Sequence, residues 1–233
     1  MRLASTLCLA SLVVSGCATQ GTSSSSYAPG TKTTITNEVT VPGPYSAVWD
    51  SLVRDLAKSF YVINNIDKES RIINVSFNSP KAEDYVDCGR SQRTFKEGEV
   101  SESFNYAVAA RSTFKVASTR QEHPAFSNYF VLTREPMLDG RANIYIAPSS
   151  SDPNRTTISV NTRYVLTVKV RSEGFAKHIS GNVQTRGRAP EETFTHMFNT
   201  GSSSTTDAGG GVNVVCFATG TLEREILGLF KLP

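Results

Sequence analysis

Between residues 163 and 171 the chain alternates: Tyr164, Leu166, Val168 and Val170 share one face of an extended backbone, while Arg163, Thr167, Lys169 and Arg171 share the other. A period of two is incompatible with a helix, whose apolar face recurs at steps of three and four, and it calls for a sheet with one packed and one wet face. Phe104, Tyr106, Val108, Ala110, Phe114 and Val116 alternate in the same way with Asn105, Arg111, Thr113 and Lys115. Further strands are expected near residues 126–134, 141–147, 156–171, 193–199 and 212–218. The later chain therefore reads as long antiparallel strands.

Two helical patterns flank this run. Ile35, Val39 and Val41 mark a first strand, which Pro42, Gly43 and Pro44 close. Tyr45, Val48, Trp49, Leu52, Val53, Leu56 and Phe60 then recur at helical steps, with Asp50, Arg54, Asp55 and Lys58 opposite them. Trp49, the single tryptophan, is expected in the core. Residues 61–66 and 71–77 read as a hairpin. After Gly220, Leu222, Ile226, Leu229 and Phe230 predict a second helix, with Glu223 and Glu225 placed to favour its N-terminal dipole. The expected fold class is α+β, a curved antiparallel sheet packed against an N-terminal and a C-terminal helix.

With 233 residues, 39% hydrophobic and 19% charged, the chain excludes disorder, collagen and coiled coil, and fits one globular domain or at most two small ones. Its 24 basic and 21 acidic side chains are too nearly balanced for a nucleic-acid binder. Arg2 followed by an apolar stretch at residues 7–14 reads as a secretory signal, far short of the roughly 20 residues that span a bilayer.

Val14, Ser15, Gly16 and Cys17 resemble the lipobox of bacterial lipoproteins. The resemblance implies cleavage before Cys17 and acylation of its sulfur and new amine by palmitate-type chains; an ordinary signal peptide with a chance cysteine is the alternative. Several acyl chains, at about 0.8 kcal/mol per buried CH₂, make anchoring stable. Ala18, where retention signals carry Asp, implies an outer-membrane location facing the periplasm. The expected division is a signal peptide at 1–16, a lipidated flexible tether at 17–33 and a single α+β periplasmic domain at 34–233. Residues 18–33 lack apolar periodicity and are rich in Ser, Thr and Gly, and such a tether would reach roughly 20–25 Å.

Of four cysteines, Cys8 leaves with the signal and Cys17 takes lipid. Cys88 and Cys216 remain in an oxidising space and are expected to form a structural disulfide; two separately buried thiols are the alternative. In plan, lipobox, tether, helix, antiparallel sheet and terminal helix resemble the helix-grip lipoproteins of Gram-negative outer membranes, such as the C component of the β-barrel assembly machine. That likeness is architectural. It carries no diagnostic motif beyond the lipobox, and it implies assembly work in an envelope complex.

Catalytic signals are sparse. His123, His178 and His196 lie outside any H-E-x-x-H or Cys-x-x-Cys context, so no metal site or cofactor is expected. His196, between Phe194 and Phe198, is expected to pack. No nucleophile elbow, Walker loop or dinucleotide fingerprint occurs, and no catalytic residue is assigned. Between residues 155 and 188 seven basic side chains stand against the single acid Glu173. Arg163, Lys169 and Arg171 would project together from one sheet face, a candidate surface for an anionic lipid, lipopolysaccharide, peptidoglycan or an acidic envelope protein. The alternative is a solvated face whose charge prevents aggregation. The expected function is a non-enzymatic, membrane-anchored binding or assembly module; the alternative is a carrier or sensor holding an apolar ligand between sheet and helix.

Overall fold

The computed structural model describes residues 20–120, 123–207 and 212–230. The expected signal segment, residues 1–16, and Cys17 lie outside them. In chain order the elements are β1 (Thr22–Ala28), β2 (Glu38–Pro42), α1 (Tyr45–Ala57), β3 (Val62–Asp67), β4 (Ile72–Ser79), β5 (Val86–Asp87), β6 (Arg90–Glu97), β7 (Val100–Ala107), β8 (Ser112–Ala117), β9 (Phe126–Pro148), β10 (Arg155–His178), β11 (Val183–Arg188), β12 (Glu192–Asn199), β13 (Ser203–Asp207), β14 (Asn213–Ala218) and α2 (Thr221–Gly228).

One hairpin organises them. β9 and β10, of 23 and 24 residues, pair from Phe126↔His178 to Pro148↔Thr156. Their outer edges are too long for single partners and are divided. β9 pairs with β8 near its start and β4 near its end, while β10 pairs in turn with β2, β12 and β11. Two smaller sheets, β1-β6-β7 and β13-β14-β5, complete the molecule. Even-numbered residues of β10 from Thr156 to Val170 are buried, as the alternation requires.

The α+β expectation is overturned. Strands take 60% and helices 12% of the described residues, so the protein is mostly β, built of large antiparallel sheets, and the helix-grip-like plan falls with it. Both helices form, and Val48, Trp49, Leu52 and Leu56 of α1 and Leu222 and Ile226 of α2 join the core. The balance shifts because polar segments without apolar alternation add strands. β1, β6, β11 and β13 hold TSSSSYA, RSQRTFKE, VQTRGR and SSTTD. Such strands are held by backbone ladders to a neighbour's edge rather than by a buried face.

The segment expected to be tether thus contains β1, which pairs with β6 from Thr22↔Lys96 to Ala28↔Arg90. Tyr27 locks it down: its hydroxyl accepts the Val215 N–H at 2.9 Å and donates to the Cys88 carbonyl at 3.2 Å. Beside it Cys88 and Cys216, both buried, form the expected disulfide across 128 residues. On the chain-entropy account a loop of that length is worth about 5 kcal/mol. Gly140 permits one close approach, because a Cβ there would lie 1.9 Å from the Phe77 ring that covers it.

Candidate functional site

The smaller sheets lean over the first half of β9 and the second half of β10, and a cavity of about 140 Å³ remains between them. Its walls are strands and the residues beside them, with Val108, Phe114, Leu132, Val168, Phe194 and Val214 supplying apolar surface. No residue of either helix lines it.

Two guanidinium groups enter this apolar space. Arg93, on β6, donates from Nε to the Tyr106 hydroxyl at 3.0 Å and lies 4.6 Å from the centre of the Phe114 ring. Arg134, on β9, lies 5.4 Å from the centre of the Tyr106 ring. The two rings are stacked, with centroids 5.3 Å apart and planes 6° from parallel. Among the described residues neither arginine has an ion pair. Nη1 of Arg134 is buried without a hydrogen-bond partner, and so is Nδ1 of His196.

His196 is 3% exposed. Burial, and after it the Arg134 charge, lowers its pKa and so favours the neutral ring. Burial also lowers the pKa of Arg134; Tyr106 opposes the shift and Arg93 adds to it. An arginine keeps its proton even so. The cavity wall therefore carries fixed positive charge that no carboxylate pairs among the described residues; Glu192, its one lining carboxylate, is exposed and forms no ion pair with either arginine. Its chemistry suits an anion with an apolar body.

Sequence reasoning passed over Arg93 and Arg134. The available signal was phase: counting by twos back along β9 from the buried Leu138 and Pro136 puts Arg134 and Leu132 on the inward side. A charged residue in an inward phase marks either a buried pair or a ligand group. His196, between Phe194 and Phe198, is buried, and that it lines the same cavity as Arg134 follows from the folding of the sheets over one another and not from local spacing, since the registers set it level with Leu166 and Leu138.

Arg163, Lys169 and Arg171 share the outward face of β10. They do not form a free cationic surface. Arg171 contacts Glu191 at 2.9 Å and Glu135 at 3.1 Å, and Lys169 contacts Glu191 at 3.7 Å. The Arg171 hydrogen bond holds the Glu191 carboxyl below its usual range. Arg163 has no ion pair among the described residues and donates to Met197 Sδ at 3.8 Å. Among the described residues no cluster of His, Cys, Asp and Glu fits a metal ion, and no helix is long and apolar enough to cross a membrane. Comparison with known protein families, curated proteins and solved structures finds no match.

Proposed function

We propose that this chain is a non-enzymatic lipoprotein of the bacterial outer membrane, anchored through acylated Cys17 and facing the periplasm, that works as a binding module by holding a small apolar anion. One observation carries the ligand. Arg134 and His196 both line this cavity, each also has a buried nitrogen without a hydrogen-bond partner, and among the described residues no carboxylate is paired with Arg134. A buried polar group left unmatched is costly, and a bound carboxylate supplies the missing acceptor and the missing charge. The ligand is held between sheets.

A space of 140 Å³ compares with a roughly 150 Å³ cavity that takes one benzene-sized molecule. Benzoate is thus a fitting probe, and benzamide is its uncharged counterpart of nearly equal shape. Calorimetric titration of the mature domain should show benzoate binding at least tenfold more tightly than benzamide. Equal affinity, or no binding of either, overturns the ligand reading. Release of a Cys17→Ser version from the membrane fraction, with retention of the parent, tests the anchor independently. Crosslinking of the parent in intact cells would then identify the envelope proteins with which a tethered carrier exchanges its ligand.

A further inference from the structure

We infer that the end of the domain formed by the start of β1 and the β10–β11 turn lies directly against the phospholipid surface, a conclusion that rests on reading Cys17 as the acylated residue. The length of the leash is decisive. Gln20 is already fixed, its Nε2 donating to the Ser118 carbonyl at 3.1 Å, and β1 begins two residues later beside Lys96. Cys17 precedes Gln20 by three residues. At roughly 3.6 Å per residue the acylated sulfur-bearing residue therefore sits within about 11 Å of Gln20, whatever path residues 18 and 19 take.

That distance reaches one end of the molecule only. Ser118 donates its N–H to the Asn128 carbonyl, and Asn128 is the register partner of Ala176. Ile179 follows Ala176 by three residues, roughly 10 Å farther along an extended strand. The tip of the β10–β11 turn and the limit of the leash consequently fall at about the same height. With the acyl chains in the bilayer, this tip meets the headgroups.

The surface chemistry there fits a lipid interface. Ile179 and Val183 flank the turn and are 54% and 52% exposed. They are presented rigidly: His178 N–H donates to the Asn182 carbonyl at 2.8 Å, and Ile179 N–H to the Ala125 carbonyl at 3.0 Å. Lys96, Arg120 and Arg186 are exposed at the same end and have no ion pair among the described residues, while Glu97 is held by Lys177 at 2.7 Å. Among the described residues Glu99, on the β6–β7 turn, is an opposing exposed carboxylate, and the sequence adds Glu122 two residues after Arg120. Apolar side chains on a tight turn ringed by unpaired cations match the boundary between acyl chains and anionic headgroups.

The test uses the full-length lipoprotein, purified from membranes and reconstituted into vesicles of phosphatidylethanolamine and phosphatidylglycerol. An environment-sensitive fluorophore is attached at Ile179→Cys or, as the distal control, at Ser151→Cys in the β9–β10 turn; Cys88 and Cys216 are disulfide-bonded and buried, and the sulfur of Cys17 is blocked by its lipid on the reading tested. The label at 179 should shift to the blue and be quenched severalfold by lipid-borne nitroxides, with the label at 151 unaffected. Vesicles that carry the protein on flotation while the label at 179 stays as water-exposed as that at 151 overturn the inference and leave the anchor standing. Protein that does not float with the vesicles removes the anchor and the inference together.

Discussion

Replacing Arg134 with methionine should stabilise the ligand-free protein while disabling its cavity. Methionine keeps most of the volume of the arginine stem and removes the guanidinium, whose Nη1 is buried without a partner. An unsatisfied buried donor costs about 1–3 kcal/mol. Against this, the lost stacking over Tyr106 forfeits about 0.5–1 kcal/mol. The net expectation is a gain of about 1–2 kcal/mol, or a Tm higher by roughly 2–8 °C for a domain of this size. Anion binding moves the other way, since a charge-assisted hydrogen bond worth about 1.5–3 kcal/mol is deleted, a loss of roughly 10- to 150-fold in the Kd for benzoate. Urea unfolding followed by the fluorescence of Trp49, the single tryptophan and 3% exposed, reads the stability directly. A destabilised Arg134→Met protein with an unchanged m-value would show that the guanidinium supports the fold, and the reasoning from its missing partner would fail.

Other substitutions probe other parts of the structure. Burial lowers the pKa of folded His196, so the unfolded chain takes up a proton first as pH falls; stability present above about 6.5 is lost on the way down to the lowered folded value. Urea midpoints should therefore drop across that window, and His196→Gln should flatten the dependence; an equal slope in the variant assigns it to other groups. Tyr164→Phe removes the hydroxyl that donates to both carboxylate oxygens of the fully buried Glu223, at 2.9 and 2.8 Å, and leaves that carboxylate Thr200 as its one hydrogen-bonding side chain among the described residues. The loss should be about 2–3 kcal/mol by chemical denaturation, and a change near zero would mean that water replaces the hydroxyl. Gly140→Ala drives a methyl into the Phe77 ring and should cost about 1–3 kcal/mol, partly recovered when Phe77→Leu is added; no recovery would place the strain elsewhere.

The legible and illegible parts of this fold divide by what holds each strand. β10 announces itself because a half-buried strand must alternate, and Tyr164 to Val170 do so. β1 does not, because TSSSSYA buries almost nothing and exists through backbone bonds to β6 and the anchoring of Tyr27. The alternating run at 104–116 is β7 and β8 separated by a turn at 108–110, and the two expected runs within 126–147 are the single β9. In both places the apolar rhythm is right and the chain path is decided by distant partners. The same limit applied to the charges. Arg163, Lys169 and Arg171 share one exposed face, but Glu135 and Glu191, which neutralise two of them, arrive from β9 and from the segment before β12. A local count of charge cannot see carboxylates that the sheet delivers from elsewhere, and it equally missed that Arg134, spaced among apolar neighbours, is left without one.

The two proposals constrain each other through the geometry of the long hairpin. Arg134 is the register partner of Val170, eight residues along β9 from the Phe126↔His178 pair at the tip. At about 3.3 Å per residue this puts the cavity roughly 26 Å from that end. A domain resting on the headgroups by its tip would thus hold Arg134 well clear of the hydrocarbon. A ligand at that height arrives through water and cannot keep a long tail in the bilayer while its head is bound. The height and the 140 Å³ volume therefore select the same class of molecule, a short apolar anion soluble enough to cross the aqueous space, and both argue against a membrane lipid held by its headgroup. The anchor would then serve to concentrate the binding site near the membrane surface rather than to draw its ligand from the membrane.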